Sequence, residues 1–200
     1  MERIDNWNTI DAKGMEDFVT LPMGGYKFVV KFAGEHISKN TGNKMLKICV
    51  DIADGEFKDY FQKKFDNDNR TDKKWDNNAT KYFVLGSGFM KGFITTMNNS
   101  NSGLNIDCSQ EWNEQELVNK YAACSFEPEE NEYNGAVNVK IKLNKFRSLD
   151  KLNSIEVKNI RLLDNSYVDY AEYKSKGSPT VTAESIFGPD IVSSDVELDL

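Results

Sequence analysis

The chain has 200 residues and a formal net charge of −7, with 39% hydrophobic and 28% charged residues, a composition typical of one soluble domain plus a tail. The N-terminus has no basic segment followed by an apolar run, and no stretch of about 18 apolar residues occurs, so we expect a cytoplasmic protein without a membrane span. Three cysteines without paired spacing and a single histidine, His36, argue against a disulfide framework and a multi-histidine metal site, and we expect neither metal nor cofactor.

Three strands are predicted in the first third of the chain. The segment GGYKFVVKF places alternate residues on one face, namely Tyr26, Phe28, Val30 and Phe32. KMLKICVDI alternates in the same way, and EFKDYFQKKF, after a turn at Asp54 and Gly55, is predicted as a third strand. Residues 66–81 are too polar for a core and are predicted as a loop.

A short helix and two further strands are predicted next. Ser87 is a suitable helix cap, and Phe89, Phe93 and Met97 follow at helical spacing. A brief helical pattern at 113–120 precedes the strand YAACSF, and a turn at Asn134 and Gly135 leads into the strand AVNVKIKLNKFR. This order predicts a mainly β fold, a five-stranded OB-like β-barrel with a short helix between strands 3 and 4.

The acidity of the chain is concentrated near its C-terminus. Residues 164–200 hold eight acidic and two basic residues, so we expect a disordered acidic tail there. The predicted organisation is an N-terminal arm at 1–19, a domain at 20–163 and the tail at 164–200. The tail residues expected to bind a partner are Asp190, Asp195, Glu197, Asp199 and Leu200.

Lysines recur on the outward positions of the predicted strands. Lysines neutralise phosphates and exposed aromatic rings stack on bases, so this pattern favours binding of single-stranded nucleic acid. The candidate phosphate contacts are Lys27, Lys31, Lys47, Lys58, Lys64, Lys140 and Lys142, and the candidate stacking residues are Tyr60, Trp75 and Phe146. Lysine is also the ordinary solvent-facing residue of a strand, and Phe146 fits equally well in a core behind a bulge.

Four segments carry a resemblance to a known family: LPMGGYKFVV, MLKICVDIADGEFKDYF, GFMKGFITTMNNSN and NEYNGAVNVKIKLNKFRSLDKL. Over roughly residues 18–163 the chain resembles small phage and prophage proteins, long of unknown function, whose members look like OB-fold single-stranded DNA-binding proteins. The resemblance implies sequence-independent binding without catalysis, in DNA replication or recombination inside a bacterial host cell. It also implies that the tail recruits replication or recombination proteins.

Two other classes of function remain open. The chain is alternatively an OB-like adaptor that binds protein rather than DNA, in which case lysine-to-glutamate changes on the strands leave the partner interaction intact. In the second alternative, Glu56 and Lys58 in DIADGEFK belong to a metal-dependent nuclease, whose magnesium-dependent cleavage Glu56→Gln abolishes. We expect no enzymatic activity, and the sequence leaves homo-oligomerisation open.

Overall fold

The computed structural model describes Arg3, residues 7–9 and residues 19–176. The strands are β1 (Gly24–Ile37), β2 (Lys44–Ile52), β3 (Thr80–Val84), β4 (Tyr121–Tyr133), β5 (Ala136–Arg147), β6 (Asn159–Arg161) and β7 (Tyr167–Asp169). The helices are α1 (Tyr60–Asp66), α2 (Gly88–Ser100) and α3 (Tyr170–Ser175), with short 3₁₀ turns at Trp7–Thr9, Asn77–Ala79, Glu114–Leu117 and Leu149–Ser154. No described helix has the length and apolar character needed to cross a membrane.

The strands form one seven-stranded sheet. Its order is β3-β2-β1-β4-β6-β7, and β5 pairs with β4. All pairs are antiparallel except β4 with β6, which meet in parallel at Glu129 and Arg161. The prediction of a closed five-stranded barrel is therefore wrong, because the sheet is open, mixed and larger, whereas the mainly β character and the helix between the third and fourth strands are confirmed.

Side-chain contacts, and no backbone ladder, connect β3 to β5 in the described part of the chain. Within the described strands no backbone ladder connects β3 to β5. Lys81 pairs with the core residue Ile48 and thus points inward, and its Nζ donates to the backbone oxygen of Leu143 in β5, 3.5 Å away. Beside it the rings of Phe83 and Phe146 lie 5.7 Å apart. A lysine side chain and two aromatic rings thus connect β3 to β5 where no backbone ladder joins these described strands.

The predicted third strand is also wrong. The segment EFKDYFQKKF forms a turn and then helix α1, and the third strand lies at Thr80–Val84 instead. Phe57, Phe61 and Phe65 are spaced by four, which satisfies a helix as well as the alternation of a strand. The buried residue Asp51 favours the helix over the strand. Its carboxylate accepts hydrogen bonds from the backbone N–H groups of Phe61 at 2.9 Å and Gln62 at 3.0 Å, in the first turn of α1.

Helix α2 and the β4–β5 hairpin agree with the sequence predictions. The Ser87 hydroxyl accepts a hydrogen bond from the Met90 N–H at 3.2 Å and caps α2, whose buried residues are Met90, Phe93, Ile94 and Met97. The hairpin turns at Asn134 and Gly135, whose φ angles of 51° and 77° are those of a type I′ turn. The core lies between one face of the sheet and α2.

Folded elements extend into the segment predicted as tail. Strand β7 and helix α3 lie within 164–176, and the Tyr173 hydroxyl donates to Glu130 at 2.7 Å. Folded structure therefore continues past residue 163, because β7 pairs with β6, whose Ile160 is fully buried. The predicted partner-binding residues Asp190, Asp195, Glu197, Asp199 and Leu200, and most of the predicted N-terminal arm, lie outside the described residues.

Candidate nucleic-acid interface

One face of the sheet presents exposed rings around a lysine. Lys47 in β2 pairs with Gly34 in β1 and with Tyr82 in β3, so these three residues point to the same outer side. Phe32 is 47% exposed and Tyr82 is 38% exposed. The Lys47 Nζ lies 5.6 Å from the centroid of the Phe32 ring. We call this surface, formed by Phe32, His36, Lys47 and Tyr82, the aromatic platform.

The close contacts within the platform fix the ring positions. Gly34 has no side chain, and the Phe32 ring lies across it, since a Cβ atom at Gly34 would be 2.8 Å from the Phe32 Cζ. On the other side of Lys47, the His36 and Tyr82 rings pack with their centroids 4.9 Å apart. The platform therefore offers two separated aromatic surfaces with a cation between them.

A β-bulge in β1 creates the platform. The pairing register with β2 shifts between Val30 and Phe32, so Phe32 leaves the core face that strict alternation assigns to it. The predicted inward orientation of Phe32 is thus wrong, while Phe28 and Val30 are fully buried as predicted. Tyr82 was not among the predicted site residues because β3 was not predicted. The alternation of Lys81, Tyr82, Phe83 and Val84 at the end of a polar segment was the available signal.

The lysines predicted to contact phosphate divide into two groups. Four form ion pairs with carboxylates: Lys27 with Asp54 at 3.5 Å, Lys31 with Asp59 at 3.9 Å, Lys64 with Asp76 at 2.6 Å and Lys142 with Glu129 at 2.7 Å. Within the described part of the chain, no ion pair involves Lys47, Lys58 or Lys140. Of these three, Lys47 is the one that lies on the aromatic platform.

The three aromatic residues predicted to stack on bases take part in packing. The Tyr60 hydroxyl donates to the Val19 backbone oxygen at 3.1 Å, and its ring packs on Phe61. The Trp75 Nε1 donates to the Val50 backbone oxygen at 3.1 Å.

The Phe146 ring is half-buried against the core and lies 4.9 Å from the Phe93 ring, centroid to centroid. Its contacts match the core placement behind a bulge, because the register of β4 and β5 shifts between Cys124 and Phe126. The exposed rings of Phe32 and Tyr82 are better placed to receive a base.

The acidic residues of DIADGEFK do not form a cluster. Asp51 is buried, and burial raises the pKa of its carboxyl group, while hydrogen bonds from Phe61, Ile52 and Gln62 act in the opposite direction. Glu56 lies exposed in the turn before α1. In the part of the chain that the structure describes, no three or more His, Cys, Asp or Glu residues are grouped so that they could hold a metal ion.

The family model described as "Protein of unknown function (DUF669)" matches residues 8–151, a range that contains the platform and the sheet from β1 to β5. The chain therefore belongs to the DUF669 family. No curated protein matches the chain.

Proposed function

We propose that this chain is a single-stranded DNA-binding protein that binds with little sequence preference through the aromatic platform. The observation that carries the proposal is that Phe32 and Tyr82 expose their rings on either side of Lys47. Every base has a flat face that can stack on a ring, and a lysine between two rings is suited to neutralise the connecting phosphate. Base pairs of a duplex are already stacked on one another, so we expect a preference for single strands.

The proposed biological setting follows from the resemblance to phage and prophage proteins. The protein then acts in the cytoplasm of a bacterial host, where it protects single-stranded DNA or presents it during replication and recombination. In this proposal, the acidic residues Asp190, Asp195, Glu197 and Asp199 with Leu200 bind replication or recombination proteins. Neither a cofactor nor a metal is part of the proposal.

Substitution of the platform rings tests the proposal. We expect Phe32→Ala combined with Tyr82→Ala to weaken binding of a labelled oligo-dT by at least about 30-fold, because stacking contributes about 1–3 kcal/mol per base and two rings are removed. The measurement is fluorescence anisotropy at low salt. Tyr167→Ala is the matched control, since Tyr167 is 51% exposed on β7, at the opposite end of the sheet order from β3.

Substitution of Lys47 is a second test of the proposal and has its own matched control. We expect Lys47→Ala to weaken binding and to lower the slope of log affinity against log salt by about 0.7, the value for one phosphate contact on a single strand. Lys174 lies 4.4 Å from the centroid of the Tyr170 ring in α3, so Lys174→Ala removes a similar cation–ring contact far from β3 along the sheet order. If the platform variants bind DNA like wild type, the platform is not the DNA site. If the wild-type protein itself does not bind DNA, a protein-binding adaptor becomes the better proposal.

A further inference from the structure

A groove runs along the open side of the sheet. It lies between β3, α2 and the C-terminal part of β5 and has a volume of about 750 Å³. Its floor is formed by the rings of Phe83, Phe93 and Phe146, whose centroids lie 4.8 to 5.7 Å from one another. At its rim Phe89 is 86% exposed, and the space above Gly88 and Gly92 is open. An extended peptide with apolar side chains fits such a surface.

Strand edges border the groove on both sides. β3 pairs with β2 and β5 pairs with β4, and within the described residues neither strand has a second partner in the sheet. The backbone groups on such an edge can bind an added strand. Residues 144–147 of β5 line the groove, so that this edge and the apolar floor are available to the same ligand.

The charges at the groove have one sign. Lys81, Lys145 and Arg147 line it, and no acidic residue does. Lys145 is 53% exposed at its side chain although it pairs with Glu127 at 3.1 Å, and Lys81 is half-buried, with burial lowering the pKa of its ammonium group. An acidic ligand is therefore favoured over a neutral or basic one.

A segment of this chain outside the described residues has the matching pattern. Residues 177–200 contain five acidic residues and no basic one. Within them Val196, Leu198 and Leu200 alternate with Glu197 and Asp199, the period of a strand with one apolar and one acidic face. About 20 residues separate this sequence from the end of α3 and span up to about 65 Å when extended, more than enough to reach any face of a domain of this size.

We propose that residues 196–200 dock in the groove as an added strand on the free edge of β5. The apolar side chains Val196, Leu198 and Leu200 then face the phenylalanine floor, and Glu197 and Asp199 face Lys145 and Arg147. Docking shields the groove from other peptides, so a partner that captures this segment must first displace it. The groove shares Tyr82 with the aromatic platform, but its phenylalanine floor and the edge of β5 lie outside the platform, and the proposal stands independently of DNA binding.

Hydrogen exchange of the full-length protein, followed by mass spectrometry of peptic fragments, tests the docking. We expect the amides of residues 196–200 to exchange at least about tenfold more slowly than an unstructured chain. Leu198→Asp should remove this protection and also speed exchange in residues 144–147, because it places a charge on the apolar face of the strand. Ile191→Asp is the matched control, since it adds the same charge to the same segment outside the docking sequence.

A charge exchange makes the test specific for the groove. Arg147→Glu should reduce the protection of residues 196–200, and adding Glu197→Lys and Asp199→Lys to it should restore the protection. Exchange of residues 196–200 at the rate of an unstructured chain in the wild type would overturn the proposal. Protection that grows with protein concentration would overturn it too, because it would show that the segment of a second copy fills the groove.

Discussion

Gly34 provides the space that the exposed ring of Phe32 occupies. A Cβ atom at this position would lie 2.8 Å from the Phe32 Cζ, the far end of a side chain that can rotate away. We therefore expect Gly34→Ala to change the free energy of unfolding by less than about 1 kcal/mol but to weaken single-stranded DNA binding about fivefold, because the ring leaves its stacking position. Urea denaturation and anisotropy measure the two effects.

Gly92→Ala is the control for this substitution. Gly92 lies in α2 with open space around it, so alanine there should stabilise the helix by about 0.5–1 kcal/mol without changing DNA affinity. Equal losses of affinity in both variants would contradict the role assigned to Phe32.

The orientation of single residues could be predicted only where the strand was regular. The alternating pattern correctly predicted that Phe28, Val30, Ile48 and Val50 are buried. It failed at Phe32, because a bulge shifts the register by one residue and local sequence does not reveal the shift. The outward position of Lys47 was correctly predicted, so one member of the platform was found and its aromatic neighbours were missed.

Asp51 links β2 to α1. Its buried carboxylate accepts three backbone hydrogen bonds, from Ile52, Phe61 and Gln62, at 2.8 to 3.0 Å. We expect Asp51→Ala to lower the free energy of unfolding by about 3 kcal/mol, because backbone N–H groups in a buried setting lose their acceptor. Asp51→Asn keeps one acceptor oxygen and should cost about 1–2 kcal/mol.

Urea denaturation measures the loss of stability in the Asp51 variants, and an exposed aspartate in α1 serves as the control. Asp66 accepts one hydrogen bond from the Gln62 side chain at 3.0 Å, so Asp66→Ala should cost less than about 0.5 kcal/mol. A similar loss in the Asp51 and Asp66 variants would show that the buried carboxylate does not hold α1.

Glu129 joins β5 and β6 through two cations. It pairs with Lys142 at 2.7 Å and with Arg161 at 3.3 Å. Burial alone would raise the pKa of Glu129, but the hydrogen bonds and charges of these partners outweigh it and lower the pKa below 4.5. Because its pKa is lower in the folded state than in the unfolded state, the ionised Glu129 stabilises the protein above pH 4.5. This contribution is lost as the pH falls through the folded-state pKa of Glu129.

We therefore expect Glu129→Gln to reduce the loss of stability on acidification below pH 4.5 relative to wild type. Urea denaturation across this pH range measures the difference. An identical pH dependence in the two proteins would contradict a stabilising role for the ionised Glu129.

The secondary structure could be predicted where one pattern fitted the sequence. The β1–β2 and β4–β5 hairpins and α2 carry unambiguous alternation, turn residues or a cap, and all are present. The segment with Phe57, Phe61 and Phe65 fits both a strand and a helix, and the deciding contact comes from Asp51 in another element. Such tertiary contacts are not visible in a local pattern.

Charge is unevenly distributed along the chain. Residues 177–200 carry five acidic residues and no basic one. A tethered anionic segment should compete with DNA, so we expect truncation after Lys176 to tighten DNA binding severalfold at low salt and to have little effect at high salt. Truncation after residue 163 is unsuitable for this test, because it removes β7 and α3. Anisotropy at two salt concentrations measures the effect, and an unchanged affinity at low salt would contradict it.

The overall topology was the least predictable feature. The β1–β2 and β4–β5 pairings follow from hairpins that the sequence indicates, whereas the pairings of β1 with β4 and of β2 with β3 join segments that are far apart in the chain. The described strands β3 and β5 are connected by Lys81, Phe83 and Phe146 without a backbone ladder, and these residues meet only in the folded chain. The short strands β6 and β7 have three residues each, too few for an alternating pattern to be recognised.

Binding of single-stranded DNA is measured by an anisotropy titration of a labelled oligo-dT of about 30 nucleotides with the full-length protein. The titration is performed at two salt concentrations, with a duplex of equal length as competitor. We predict tight binding that weakens as salt rises and that the duplex does not displace. Absence of binding at low salt, or equal competition by the duplex, would contradict the proposed function.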